Sequence, residues 1–83
     1  MSKIDILMEL YQEEDILIAD GFDSAIIGIE ESSMRVIYSV GKCIDILRTK
    51  EGMSIEDALD YFAFNVQGAY VGDKTPIWCA DIN

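Results

Sequence analysis

Few residues in this chain have chemistry to offer. Asp20 and Asp23 flank Gly21-Phe22, a spacing that could present two carboxylates to Mg²⁺ or Ca²⁺, which take oxygen ligands. Asn65, Tyr70, Asp73, Lys74 and Thr75 gather near the end of an apolar helical run, where an amide, a phenol, a carboxylate, an ammonium and a hydroxyl could meet a small ligand. What is missing weighs more. The chain has no histidine, so no Cys/His zinc site, no Ser-His-Asp or Cys-His pair and no imidazole proton shuttle exists within one copy. Carboxylate chemistry is the enzyme route left open, and each carboxylate has a plainer role. Asp20-Gly21 is an ordinary turn dipeptide that Asp23 can cap. Glu56, Asp57 and Asp60 sit at a helix start, where the dipole favours negative charge. The sequence therefore assigns no catalytic residue, no metal ligand and no cofactor.

One motif comes close and fails. Gly68-Ala-Tyr-Val-Gly72-Asp-Lys74-Thr75 resembles the phosphate loop G-x-x-x-x-G-K-[ST], but its second glycine comes one residue early and Asp73 stands before the lysine. A phosphate loop also leads from a strand into a helix N-terminus, whose free N–H groups meet the phosphates. Here a helix ends and a strand begins, so carbonyls face the loop.

Sixteen acidic residues against six basic ones give a formal net charge of −10. Such a chain is repelled by nucleic acid and by anionic lipid, whose phosphates call for Lys and Arg. The charge acts either as a solubilising surface or as a face for a basic partner, and the short carboxylate clusters favour the former. Cys43 falls on an apolar helix face and Cys79 within an apolar strand, so both are expected as reduced core residues. No apolar run approaches the ~20 residues of a membrane span, and early charges at Lys3 and Asp5 argue against a secretory signal. The expectation is a cytoplasmic protein.

The elements that would position these groups are well punctuated. Gly52 follows Arg48, Lys50 and Glu51 as a helix C-terminal glycine should. Ser54 with Asp57 forms a capping box. Ile55, Ala58, Leu59, Phe62, Ala63, Val66, Ala69 and Tyr70 then keep helical spacing over roughly residues 55–70, with Gly72 closing the helix and Pro76 preventing its resumption. Ser39 caps an earlier helix carrying Val40, Cys43, Ile44 and Leu47 on one face. Residues 25–29 and 34–38 read as a hairpin across Glu30-Glu-Ser-Ser33, with Gly28 marking either a bulge or a close packing neighbour. Residues 76–80 read as a last strand. Ser2 and Asp5 open a first helix with Ile4, Leu7, Met8 and Tyr11 on one face, and residues 16–19 read as a further turn or a short strand. The whole predicts one α+β domain over residues 1–83, in the order α-β-β-α-α-β. About three mainly antiparallel strands pack with about three helices in two layers.

A second stripe, Tyr61, Phe64, Asn65 and Gly68, makes the last helix apolar around much of its girth. Either the first helix covers it, or Tyr61 and Phe64 form a subunit interface, since aromatics are favoured there.

Residues 52–77, GMSIEDALDYFAFNVQGAYVGDKTPI, preceded by Asp23-Ser-Ala-Ile-Ile-Gly28 and Arg35-Val-Ile-Tyr-Ser39, resemble a group of short bacteriophage and environmental proteins with no assigned activity. The resemblance spans most of residues 22–78 and is most specific in Phe64-Asn-Val and Gly68-Ala-Tyr-Val-Gly72. It implies a phage-type setting, hence host cytoplasm, and no catalytic residues. The functional expectation is a small acidic binding protein that is not an enzyme. It self-associates, with a dimer favoured, and possible partners extend to a basic host protein but not to nucleic acid or membrane. The alternative is a small-ligand or divalent-metal site, or a carboxylate enzyme, built at a subunit interface around Asn65, Tyr70, Asp73, Lys74 and Thr75.

Overall fold

The computed structural model of the chain describes residues 3–11 and 16–81, so the Ser2 cap and the acidic break at 13–15 fall outside the described residues. The elements run α1 (Lys3–Leu10), a single 3₁₀ turn (Asp23–Ala25), β1 (Ile26–Glu30), β2 (Arg35–Ser39), α2 (Val40–Lys50), α3 (Ile55–Tyr61), a π-helical segment (Phe62–Gln67) and β3 (Ile77–Cys79). This is the expected α+β order, with the hairpin strands each starting one residue later. Residues 16–19 form neither a turn nor a strand.

The sheet order is β1-β2-β3. β1 and β2 pair antiparallel, Ile26 opposite Tyr38 and Gly28 opposite Ile37, so Ile27 is the extra residue of the bulge anticipated at Gly28. β3 pairs with β2 in parallel, Tyr38 beside Trp78, which makes the sheet mixed. The connection allows this. Between β2 and β3 the chain runs through α2 and α3, the kind of helical crossover that parallel neighbours need. Because side chains alternate along a strand, Ile26, Tyr38 and Trp78 form one row towards the helices, and Gly28, Ile37 and Ile77 form a row on the other face.

The caps read from sequence are in place. Ser39 Oγ accepts the Lys42 N–H at 3.2 Å and donates to Asp81 Oδ1 at 2.6 Å. Ser54 Oγ accepts the Asp57 N–H at 3.2 Å. Gly52 adopts φ +68°, a conformation only glycine takes without cost. Cys43, Ile44 and Leu47 of α2 are buried beneath the sheet residues Val36 and Tyr38 in one core that also takes in Leu7 of α1.

The last helix departs from expectation. It ends at Gln67 and not near residue 70, and its second half is π-wound. Gly68 donates its N–H to Ala63 O at 3.1 Å, five residues back, and a Cβ at Gly68 would meet that same oxygen at 3.1 Å. Glycine thus permits the tight closure of the wide turn. Gly72 closes no helix; its φ of +107° belongs to the later 72–75 turn. Of the expected buried face only Ala58 and Phe62 are buried and Val66 half-buried, while Ile55, Leu59, Ala63, Ala69 and Tyr70 are exposed. A single helix laid on a sheet this narrow finds cover for one stripe, so the remaining apolar positions face outward.

Candidate functional site

Beside the last helix lies an apolar furrow of about 350 Å³, assembled from four separate pieces of chain. The helix supplies Tyr61, Asn65 and Val66. The stretch before β1 supplies Leu17 and Phe22, the loop after the helix supplies Val71, and β3 supplies Trp78. An aromatic chain leads from its Phe22 and Trp78 into the core. Tyr38 and Trp78 lie 5.1 Å apart between ring centroids, and Phe62 stands edge-on to Trp78 at 5.3 Å and to Phe22 at 6.5 Å. Such edge and tilted contacts suit the ring quadrupoles. The indole Nε1 of Trp78 is buried with no acceptor among the described residues, a cost tolerated at few positions in a small fold.

Two anchors hold the furrow's walls. Tyr38, fully buried, accepts the Ala19 N–H on its hydroxyl at 2.7 Å and so fixes the 16–19 stretch to the sheet. Burial pushes its phenol pKa up, so it stays neutral. On the far side, the 72–75 turn is tied to the hairpin. Arg35 Nε donates to Thr75 O at 2.6 Å and Lys74 Nζ donates to Ser33 O at 2.9 Å. Within that turn Thr75 Oγ1 donates to Gly72 O at 2.6 Å and accepts the Val71 N–H at 3.0 Å.

These bonds redistribute the residues singled out from sequence. Tyr61 and Asn65 come together in the furrow. Phe64 does not join them; it projects outward and is 81% exposed. Tyr70, 78% exposed, stands outside the furrow as well. Asp73 and Lys74 border a smaller depression that shares Leu17 and Val71 with it, but the Lys74 ammonium is engaged with the hairpin, and Thr75 serves its own turn. Asn65 is exposed, so its amide is not a buried group in want of a partner. Asp20 lines the furrow and Asp23 lies exposed in the 3₁₀ turn. Among the described residues no cluster of His, Cys, Asp or Glu could hold a metal ion.

Both thiols are free, as expected. Cys43 is buried, and burial pushes its pKa up to about 12, which keeps it an unreactive thiol. Cys79 is only half-buried because β3 lies at the sheet edge. Trp78, Phe22 and Leu17 were not singled out from sequence as site residues; the one available signal was that Trp78 is the chain's sole tryptophan.

The arrangement offers apolar contact, a phenol, an amide and the Asp20 carboxylate. Among the described residues no helix is long and apolar enough to cross a membrane. No family model, no curated protein and no solved structure matches the chain.

Proposed function

We propose that this chain is a small acidic binding protein, not an enzyme, which self-associates as a dimer through the outer side of its last helix in a phage-type, cytoplasmic setting. The observation that carries the reading is Phe64. Its ring is 81% exposed on a helix that also leaves Leu59 51% and Ile55 45% exposed. Covering a phenylalanine side chain is worth about 1.5–3 kcal/mol, and aromatic residues concentrate in interface cores. The structure also argues against cover from within. α1 packs on β1 and on the 3₁₀ turn, and Phe64 stays bare among the described residues. The rival reading, a ligand or metal site around Asn65, Tyr70, Asp73, Lys74 and Thr75, loses support because Lys74 and Thr75 are occupied by internal hydrogen bonds.

Sedimentation across a concentration series tests this. The expected result is a particle of twice the 9.3 kDa chain mass, reduced to monomer by Phe64→Asp with circular dichroism unchanged, because an ionised carboxylate in a dry interface cannot be solvated. A wild-type particle that stays at 9.3 kDa at high concentration removes the proposal.

A further inference from the structure

Phe64 does not line the furrow, so the furrow is a surface distinct from the proposed self-association contact. Two neighbouring depressions share the furrow's walls. One shares Asp20, Phe22 and Tyr61 and extends to Glu51 and Met53; the other shares Leu17 and Val71 and extends to Asp73 and Lys74. Together they make a track that is apolar along the central furrow and more polar towards both ends, with Glu51 at one end, Asp20 in the middle and Asp73 at the other. Asp20, Glu51 and Asp73 are all exposed, and among the described residues no lysine or arginine pairs with them. The one cation on the track, Lys74, has its ammonium on the Ser33 carbonyl at 2.9 Å. The segments that build the walls, residues 16–23 and 51–73, contain Asp20, Asp23, Glu51, Glu56, Asp57, Asp60 and Asp73 and neither lysine nor arginine.

We infer that the track is the docking site of a cationic amphipathic polypeptide segment, with its aliphatic side chains seated between Tyr61 and Val71 and its lysines or arginines against Asp20, Glu51 and Asp73. The inference rests on reading the chain as a binding protein, but not on its self-association. Charge complementarity selects this occupant. A second copy meeting the track face to face would set the same three carboxylates against each other in a chain that already carries a net charge of −10, and like-charge juxtaposition suppresses such pairings. An anionic or neutral segment would leave the carboxylates without partners around the apolar furrow, whereas a cationic one gains both contacts and a faster, steered encounter.

Trp78 supplies the readout, since it is the only tryptophan and lines the furrow. The probe is a short synthetic peptide of lysine and leucine in amphipathic order, without aromatic residues, beside its glutamate/leucine counterpart. The lysine peptide is expected to shift Trp78 emission saturably to the blue, with an affinity that falls as salt is raised because exposed charges are screened. The glutamate peptide is expected to leave it unchanged. Val71, 58% exposed, can be charged without disturbing the core, so Val71→Lys should weaken the lysine peptide about tenfold or more, equivalent to ~1.4 kcal/mol. Asp20→Asn combined with Asp73→Asn should weaken it and flatten the salt dependence, and this pair stands in should Val71→Lys fail to fold. Phe64→Asp should bind the peptide as the wild type does, which separates this inference from the dimer. Equal response to both peptides, or wild-type affinity in the furrow variants, overturns it. So does loss of peptide binding on Phe64→Asp. If Val71→Lys dissociates the self-associated protein while Phe64→Asp does not, the track belongs to a second copy and the inference falls.

Discussion

Residues 26–50 and residues 54–76 are both rich in apolar side chains, yet they use them differently. In the hairpin and α2, six apolar positions share one core, Ile26, Val36, Tyr38, Cys43, Ile44 and Leu47 all being buried, with Ile27 the one exposed large apolar side chain of the region, and Ser39 closes the junction between strand and helix. In the last helix and its loop, Ala58 and Phe62 reach that core while Leu59, Phe64, Tyr70 and Val71 are more than half exposed. The first region is self-sufficient and the second is not. Similar hydrophobicity is therefore spent on the core in one half of the molecule and left at the surface in the other.

The sharpest test of that contrast is a pair of phenylalanines two residues apart. Phe62 is 2% exposed and packs edge-on against Phe22 and Trp78, whereas Phe64 is 81% exposed. Phe62→Ala should cost about 3–5 kcal/mol, the range for truncating a buried aromatic. Phe64→Ala should stay within about 0.5 kcal/mol in the monomer, as surface changes do. Urea denaturation at low protein concentration measures both. Comparable losses at the two positions would end the division of the helix into a core side and an outer side.

Next in size is the link between the regions. Tyr38 belongs to the hairpin, but its hydroxyl holds Ala19 on the furrow wall. Tyr38→Phe keeps the ring contact with Trp78 and strands the Ala19 N–H, a loss of about 1–2 kcal/mol for a part-buried donor. The same change should speed amide exchange at residues 16–20 more than within α2. Uniform acceleration across both would mean that the tyrosine supports the whole fold and not that wall in particular.

How much of this could be read from the sequence follows the range of the forces involved. Ser39, Ser54 and Gly52 were legible because a cap is decided within one helical turn, and Gly28 flagged its bulge for a similar local reason. The parallel pairing of β3 was not legible, since three short apolar residues carry no sign of which strand they will join. The spacing from Ile55 to Tyr70 suits one buried face, but how much sheet exists to cover that face is a property of the whole chain. Hence Leu59 and Tyr70 were expected inside and lie outside. The winding at 62–67 also escaped notice, because a helix apolar around its girth gives no phase from which to detect a change of period. Tyr61 and Asn65 were recognised as residues of interest, but the furrow itself draws on residues from Leu17 to Trp78, and no local pattern links them.

The two serine caps offer a smaller comparison of the same kind. Ser39 is 1% exposed and bonds both the Lys42 N–H and Asp81, while Ser54 caps an exposed helix start. Removing a cap costs about 0.5–2 kcal/mol. Ser39→Ala should fall at the upper end, because it also removes the bond from Ser39 Oγ to Asp81 Oδ1 at a buried position, and Ser54→Ala at the lower end. Thermal melts of the two variants rank them, and a larger effect at Ser54 would show that the last helix contributes more to stability than its exposure suggests.

The smallest expected effect lies at the hairpin turn and depends on pH. Glu30 ends β1, and its carboxylate accepts from the Ser32 hydroxyl, from the Ser32 N–H at 2.9 Å and from the Ser33 N–H at 3.1 Å. These donors, the Ser32 hydroxyl first, favour the ionised form and lower the Glu30 pKa from an ordinary 4.5 to about 2. A depressed folded-state pKa means that the unfolded chain takes up the proton first as pH falls. The stabilising contribution of Glu30 is thus complete above about pH 4.5 and is lost progressively as pH drops through about 2. Because the group is open to solvent, the effect on overall stability should be modest, and its clearest signature is local. Carboxyl titration by NMR should place Glu30 well below the ordinary 4.5. Glu30→Gln should remove that part of the pH dependence between 4.5 and 2. An ordinary glutamate titration at Glu30 would mean that the serine donors do not hold the turn in solution. The hairpin would then lose its claim to be the more firmly tied of the two regions.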